Sequence, residues 1–198
     1  MNNKRLAFVS AVSLLLVSFS TVPAQRLSDQ ANAIRAAMDE RDGSRAENLV
    51  RQLKASDPAA FTANNYDYLL ARLAERRGGM AEAASLYQGL LSRGSLLSQH
   101  SLWRLASIAR TTGDLALERQ DLVRLLASYP SSTLAARARE RLIDNAVDRG
   151  DYRAAAAQLR PISSASGAHG RTAMAKLGMC YARLGLAADA RAAFGQLI

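Results

Sequence analysis

Cysteine is nearly absent from this 198-residue chain: Cys180 stands alone, so no internal disulfide can form and no thiolate metal cluster can be built. Histidine is almost as scarce, and His100 and His169 lie too far apart to form a pair with metal-ligand spacing. Apolar-polar alternation is almost missing, which argues against a sheet. Beyond one apolar run near the start, no second segment reaches membrane-spanning length. Carboxylates are scattered over arginine-rich stretches and read as solvated helix faces rather than a convergent acid-base pair. No catalytic residue, metal site or cofactor is therefore expected, and Cys180 reads as a packed thiol rather than a nucleophile.

The first apolar run has its own reading. Lys4 and Arg5 precede Leu6 to Phe19, and Val22-Pro23-Ala24 follows. A cationic start, a short apolar stretch and small residues at the end make residues 1–24 a secretory signal, with cleavage expected after Ala24. The rival reading, an uncleaved anchor, needs about 20 apolar residues. No cysteine stands near the cleavage site, so a lipid-anchored product is excluded. The mature chain, residues 25–198, is expected in a bacterial periplasm, with no transmembrane segment of its own. Losing Lys4 and Arg5 leaves 24 Lys+Arg against 17 acids, a net charge near +7. Such a surface suits anionic partners, although arginine also serves simply as a good helix former. Export argues against nucleic acid as one of those partners.

From Asp29 onward, segments rich in Ala, Leu, Arg and Glu are broken every 15 to 20 residues by Gly, Pro or Ser clusters, a pattern of helical hairpins. The last is the most regular: Leu177, Gly178, Tyr181, Gly185, Ala190 and Phe194. The same frame, moved backwards, finds Leu142, Ala146, Gly150, Tyr152, Ala155 and Leu159, then Leu105, Ala106, Ala109, Gly113, Leu122, Leu125 and Pro130. It continues through Leu70, Ala71, Ala74, Gly78, Ala83, Tyr87 and Leu90 to a weaker unit with Ile34, Ala37, Ala46, Val50, Leu53 and Pro58. The small-residue position recurs at Ala46, Ala83, Glu118, Ala155 and Ala190, so one unit carries a glutamate where alanine is expected. The period of 35 to 37 residues and the shared Gly, aromatic and Pro positions resemble the tetratricopeptide repeat.

That resemblance implies an all-α, right-handed superhelical solenoid of about five hairpins, over 29–60, 64–94, 98–130, 133–162 and 171–198. Ser163 to Arg171 reads as a flexible loop carrying His169. The chain stops inside a second helix, so Ile198 is expected to be the edge of a fragment. The resemblance also places certain first-helix side chains on the concave wall. These are Tyr68, Arg72 and Arg76, then His100, Trp103 and Arg110, with Glu140, Asp144 and Asp148 giving the wall a negative stretch in the fourth unit. Aromatics beside guanidinium groups can stack on sugars or clamp acidic peptides; the structural alternative is that Trp103 and Tyr68 fill the space between hairpins.

The expected role is a periplasmic scaffold holding a protein or peptide in that groove. A second resemblance is to the superhelical N-terminal region of soluble lytic transglycosylases, carried by Asn64 to Gly78 and Ser95 to Trp103. It implies contact with peptidoglycan. The family's catalytic Glu-Ser pair is missing here, so cleavage would reside beyond Ile198.

Overall fold

A computed structural model describes residues 21–197, and every regular element among them is helical. The expected signal segment lies outside the described residues except for its last four, which open the first helix. In chain order the helices are α1 (Thr21–Asp39), α2 (Gly43–Ser56), α3 (Pro58–Ala63), α4 (Tyr66–Arg76), α5 (Met80–Ser92), α6 (Ser98–Thr111), α7 (Leu115–Ser128), α8 (Ala135–Asp148), α9 (Tyr152–Ser163), α10 (Gly167–Arg183) and α11 (Ala187–Gly195). Contacts gather them into two compact units, residues 1–73 and 74–198, with the boundary inside α4.

One local device closes every hairpin. Gly78, Gly113, Gly150 and Gly185 have φ of 85°, 80°, 73° and 76°, a left-handed conformation that glycine adopts without a Cβ penalty. In the third hairpin Gly113 N–H donates to the Arg110 carbonyl at 3.1 Å and Asp114 N–H to the Ala109 carbonyl at 2.8 Å, capping the helix end. Three aspartates then start the second helix: Asp42, Asp114 and Asp151 accept from the amides of Arg45, Leu117 and Ala154. In the first hairpin the left-handed position is held by Arg41 at φ 59°, with the same bonds to the Met38 and Ala37 carbonyls.

In the first unit, α1 packs on α2 and α2 on α3. Ala37, Ala46 and Leu73 form a buried cluster, flanked by Met38, Leu49 and Leu69. No helix was expected at the short α3, which straddles the close of the first expected hairpin at residue 60. Pro58 at its first turn needs no amide partner, Asp57 caps it through the Ala60 amide at 2.8 Å, and Phe61 is buried, so a local start signal and one anchor suffice to form it.

In the second unit each helix from α5 to α11 packs on the next. Leu102, Ala106, Leu122, Leu125 and Ala138 make one buried cluster; Ile143, Ala155, Ala156, Leu159, Ala173, Leu177 and Cys180 belong to another. Around the expected loop, two helix ends lie outside the expected hairpin bounds of residues 162 and 171. α9 runs past Pro161 to Ser163, because proline so near the helix end leaves unpaired only the carbonyl of Ala157, an exposed residue. α10 begins at Gly167 rather than Arg171, so Ser163 to Arg171 is mostly helix and the expected flexible loop shrinks to a three-residue turn. Gly170 makes that turn possible: a Cβ there would stand 1.7 Å from the Ala165 carbonyl oxygen.

Asp121 is the costly feature of this core. It is 3 % exposed on α7, and its Oδ2 has no hydrogen-bond partner among the described residues. Burial raises its carboxyl from 3.8 to about 6, against a lowering by nearby Arg124. The folded chain thus holds a proton that the unfolded chain releases near pH 4, and stability falls as pH rises from about 4 to 6. Leu49, Leu86 and Ala193 occupy the equivalent position, three residues after the small one, in other hairpins. Asp121→Leu is therefore expected to raise stability at pH 7 by roughly 2 kcal/mol and to flatten the pH 4 to 6 slope, measured by urea unfolding at several pH values. Arg41→Gly, which removes the side chain from the left-handed position, is expected to raise stability by about 0.5–1 kcal/mol, read as a shifted urea midpoint at constant slope.

Candidate functional site

The glutamate at the small-residue position of the third hairpin organises the polar interior of the second unit. Glu118 is fully buried on α7. Arg141 donates to its Oε1 at 2.6 Å and Asn145 to its Oε2 at 2.9 Å, both from α8, while Arg110 of α6 approaches Oε1 at 3.4 Å. Arg141 also donates to the Ser107 hydroxyl and the Ala106 carbonyl, and its guanidinium lies 5.2 Å from the Trp103 ring centroid. Arg110 in turn donates to Asp148 at 2.8 Å. A buried charge is tolerated only when paired and hydrogen-bonded, and here three helices supply the donors and the acceptor.

This network engages two of the six expected groove residues, Trp103 and Arg110. Trp103 is half-buried beneath Arg141 and packs beside the Leu102 and Leu122 cluster. Arg110 is ion-paired at both ends, and Asp148 is its partner rather than an open acid. His100 is half-buried in the first turn of α6, and Arg76 is exposed at the end of α4. Tyr68 and Arg72 are half-buried on the part of α4 that belongs to the first unit. Next to Arg76, Glu75 is buried and takes both guanidinium arms of Arg104, which holds that guanidinium above its usual range.

Open concave surface is found further along the second unit. α8, α9 and α10 enclose a cleft of about 310 Å³. Its floor is apolar, with Ile143, Leu159 and Ala173 buried at 4 %, 2 % and 5 % exposure. Its rim is charged: Glu140 and Asp144 come from α8, His169 and Lys176 from α10. Lys176 Nζ reaches Asp144 Oδ1 at 2.5 Å, whereas His169 Nδ1 stands 3.9 Å from Glu140 Oε1. Glu140 and Asp144 were among the residues expected on a concave wall. Lys176 was not, and His169 was assigned to a loop; its placement needs α10 to start early. Cys180 is fully buried, its thiol pushed up by burial against the opposing Lys176 charge, which leaves it a packing residue. No group of three or more potential metal ligands occurs among the described residues. No described helix is long and apolar enough to cross a membrane.

Paired helices closed by left-handed turns, with small residues at the contact points, define a helical-repeat binding fold. The chain belongs to the tetratricopeptide repeat family, whose pattern matches residues 68–133 and 140–198. Among solved structures it is similar to MamA (14 % identity, TM-score 0.65, covering 88 % of this chain and 91 % of that one). It is also similar to YrrB, described as a TPR protein with an unusual peptide-binding site (16 %, 0.63, 90 % and 91 %), and to BtubC from P. vanneervenii (16 %, 0.57, 90 % and 90 %). At such low identity these likenesses establish the fold, an all-α tetratricopeptide solenoid. Comparison with curated proteins finds no match.

Restoring the repeat's usual alanine is expected to harm this chain. Glu118→Ala leaves Arg141 without its carboxylate, with only the Ser107 hydroxyl and Ala106 carbonyl to accept from it, and should cost about 3 kcal/mol of stability. The double change Glu118→Ala with Arg141→Met should recover a good part of it. Chemical unfolding of the two variants side by side checks both statements.

Proposed function

We propose that this chain is a periplasmic scaffold that holds a short segment of a partner protein, and that the α8–α9–α10 cleft is where the segment docks. The observation that carries the reading is the cleft itself: an apolar floor ringed by Glu140, Asp144, Lys176 and His169, within a repeat fold built for binding. Support for the compartment comes from the N-terminal sequence, where two cationic residues, a short apolar run and Val22-Pro23-Ala24 have the composition of an export signal.

The resemblance of residues 64–78 and 95–103 to the N-terminal region of soluble lytic transglycosylases favours a second reading, in which the same fold contacts peptidoglycan as the non-catalytic part of a longer enzyme. The two differ in what the purified chain retains. Under the scaffold reading, peptide display on residues 25–198 selects saturable ligands. Thr172→Trp, which introduces an indole from an exposed position on the cleft wall, then weakens them by about tenfold or more. Helicity is unchanged, and the chain stays in solution when isolated cell wall is pelleted. Co-sedimentation with cell wall, together with selected peptides indifferent to Thr172→Trp, would overturn it in favour of the second.

A further inference from the structure

We infer that the cleft selects a cationic side chain flanked by apolar ones, so that the docked segment carries lysine or arginine beside leucine-like residues. This rests on the reading of the cleft as a peptide site and adds the chemistry of what enters it.

Glu140 and Asp144 stand four residues apart on α8, which puts both carboxylates on one face within a single turn. Like charges at that spacing oppose the helix that carries them, so the pair is stable only to the extent that cations answer it. The chain answers half of it. Lys176 closes on Asp144, but no Lys or Arg pairs with Glu140 among the described residues, and the His169 ring nitrogen stands 3.9 Å from it, beyond hydrogen-bond reach. The Glu140 carboxylate, 58 % exposed, therefore keeps its acceptor positions open. Two carboxylates against one lysine make the rim negative, with His169 counted neutral, on a mature chain whose net charge is near +7.

The floor supplies the second requirement. Ile143, Leu159 and Ala173 are buried beneath the rim, with Ile162 half-buried beside them, so an aliphatic side chain loses water there while a neighbouring cation stays at the edge. A guanidinium fits best. Its planar fork can engage Glu140 and reach towards Asp144 in one geometry, where an ammonium meets one carboxylate at a time. An anionic segment finds no such place: its carboxylate would face Glu140, and Lys176 would have to leave Asp144 to receive it. The volume, about 310 Å³, suits one long side chain and its neighbours rather than a folded surface.

Three fluorescein-labelled peptides test the inference by anisotropy against residues 25–198. One carries leucine-arginine-leucine between glycines, a second replaces arginine by glutamate, and a third replaces both leucines by serine. The first is expected to bind about tenfold tighter than either of the others. Glu140→Gln, which keeps shape and removes the charge, should bring its affinity to within about threefold of that of the glutamate peptide. Equal or tighter binding of the glutamate peptide, still abolished by Thr172→Trp, overturns the inferred selectivity while leaving the cleft as the peptide site. Binding of the arginine peptide that survives Thr172→Trp overturns both.

Discussion

The structure depends on a turn repeated five times, in which one residue adopts left-handed backbone and a small or specially accommodated residue follows five positions later. The left-handed residues, 41, 78, 113, 150 and 185, are spaced by the same 37, 35, 37 and 35 residues as the small-residue positions. The two features belong together physically. The turn caps the first helix and reverses the chain, and the next helix lies close only if its first inward side chain is short. Ala46, Ala83 and Ala155 are completely buried there, and Ala190 is 6 % exposed. Within the second unit such hairpins also bury apolar area against their neighbours, as where Ala138 of α8 joins the α6–α7 cluster, which is why the pattern extends along the chain.

Glu118 breaks the second half of that rule. A carboxylate at the contact point must be desolvated, and the cost is offset only because α8 presents Arg141 and Asn145 and α6 presents Arg110 within reach. The consequence travels outward. Arg141 is drawn inward over Trp103, and Arg110 is shared between Glu118 and Asp148. Trp103 and Arg110, both expected on the concave wall, are thus tied to this network, Trp103 half-buried and Arg110 still exposed.

That chain of causes explains what could be read from sequence. Hairpin positions were legible because glycine and alanine at fixed spacing mark geometry directly; α5, α6 and α7 fall inside the expected hairpins 64–94 and 98–130. The departure at Glu118 was legible too. Its partners were not, since Arg141 lies 23 residues away, and a lone arginine in a basic chain carries no sign of being buried. Of the expected wall residues, Trp103 and Arg110 contact the Glu118 network, while Glu140 and Asp144 line the α8–α9–α10 cleft. α3 was missed for a different reason: six residues give no periodicity, and its capping aspartate, proline and buried phenylalanine resemble the loop punctuation around them.

The start of α10 shows how a glycine can be misread. Ser163 to Arg171 has the composition of a flexible linker, and by composition alone nothing distinguishes Gly167 from Gly170. Their roles in the fold differ. Gly167, at φ 83°, turns the chain, while Gly170 lets the Ala165 carbonyl rest against its Cα, so the turn folds flat onto the first coil of the helix it precedes. Without that close approach, α10 would have to begin later. Ala168 and His169 would then leave the rim, and the acidic face of α8 would look onto solvent rather than across a cleft. The chemistry of the site therefore follows from the absence of a single methyl group, in a stretch whose composition argues for no structure at all.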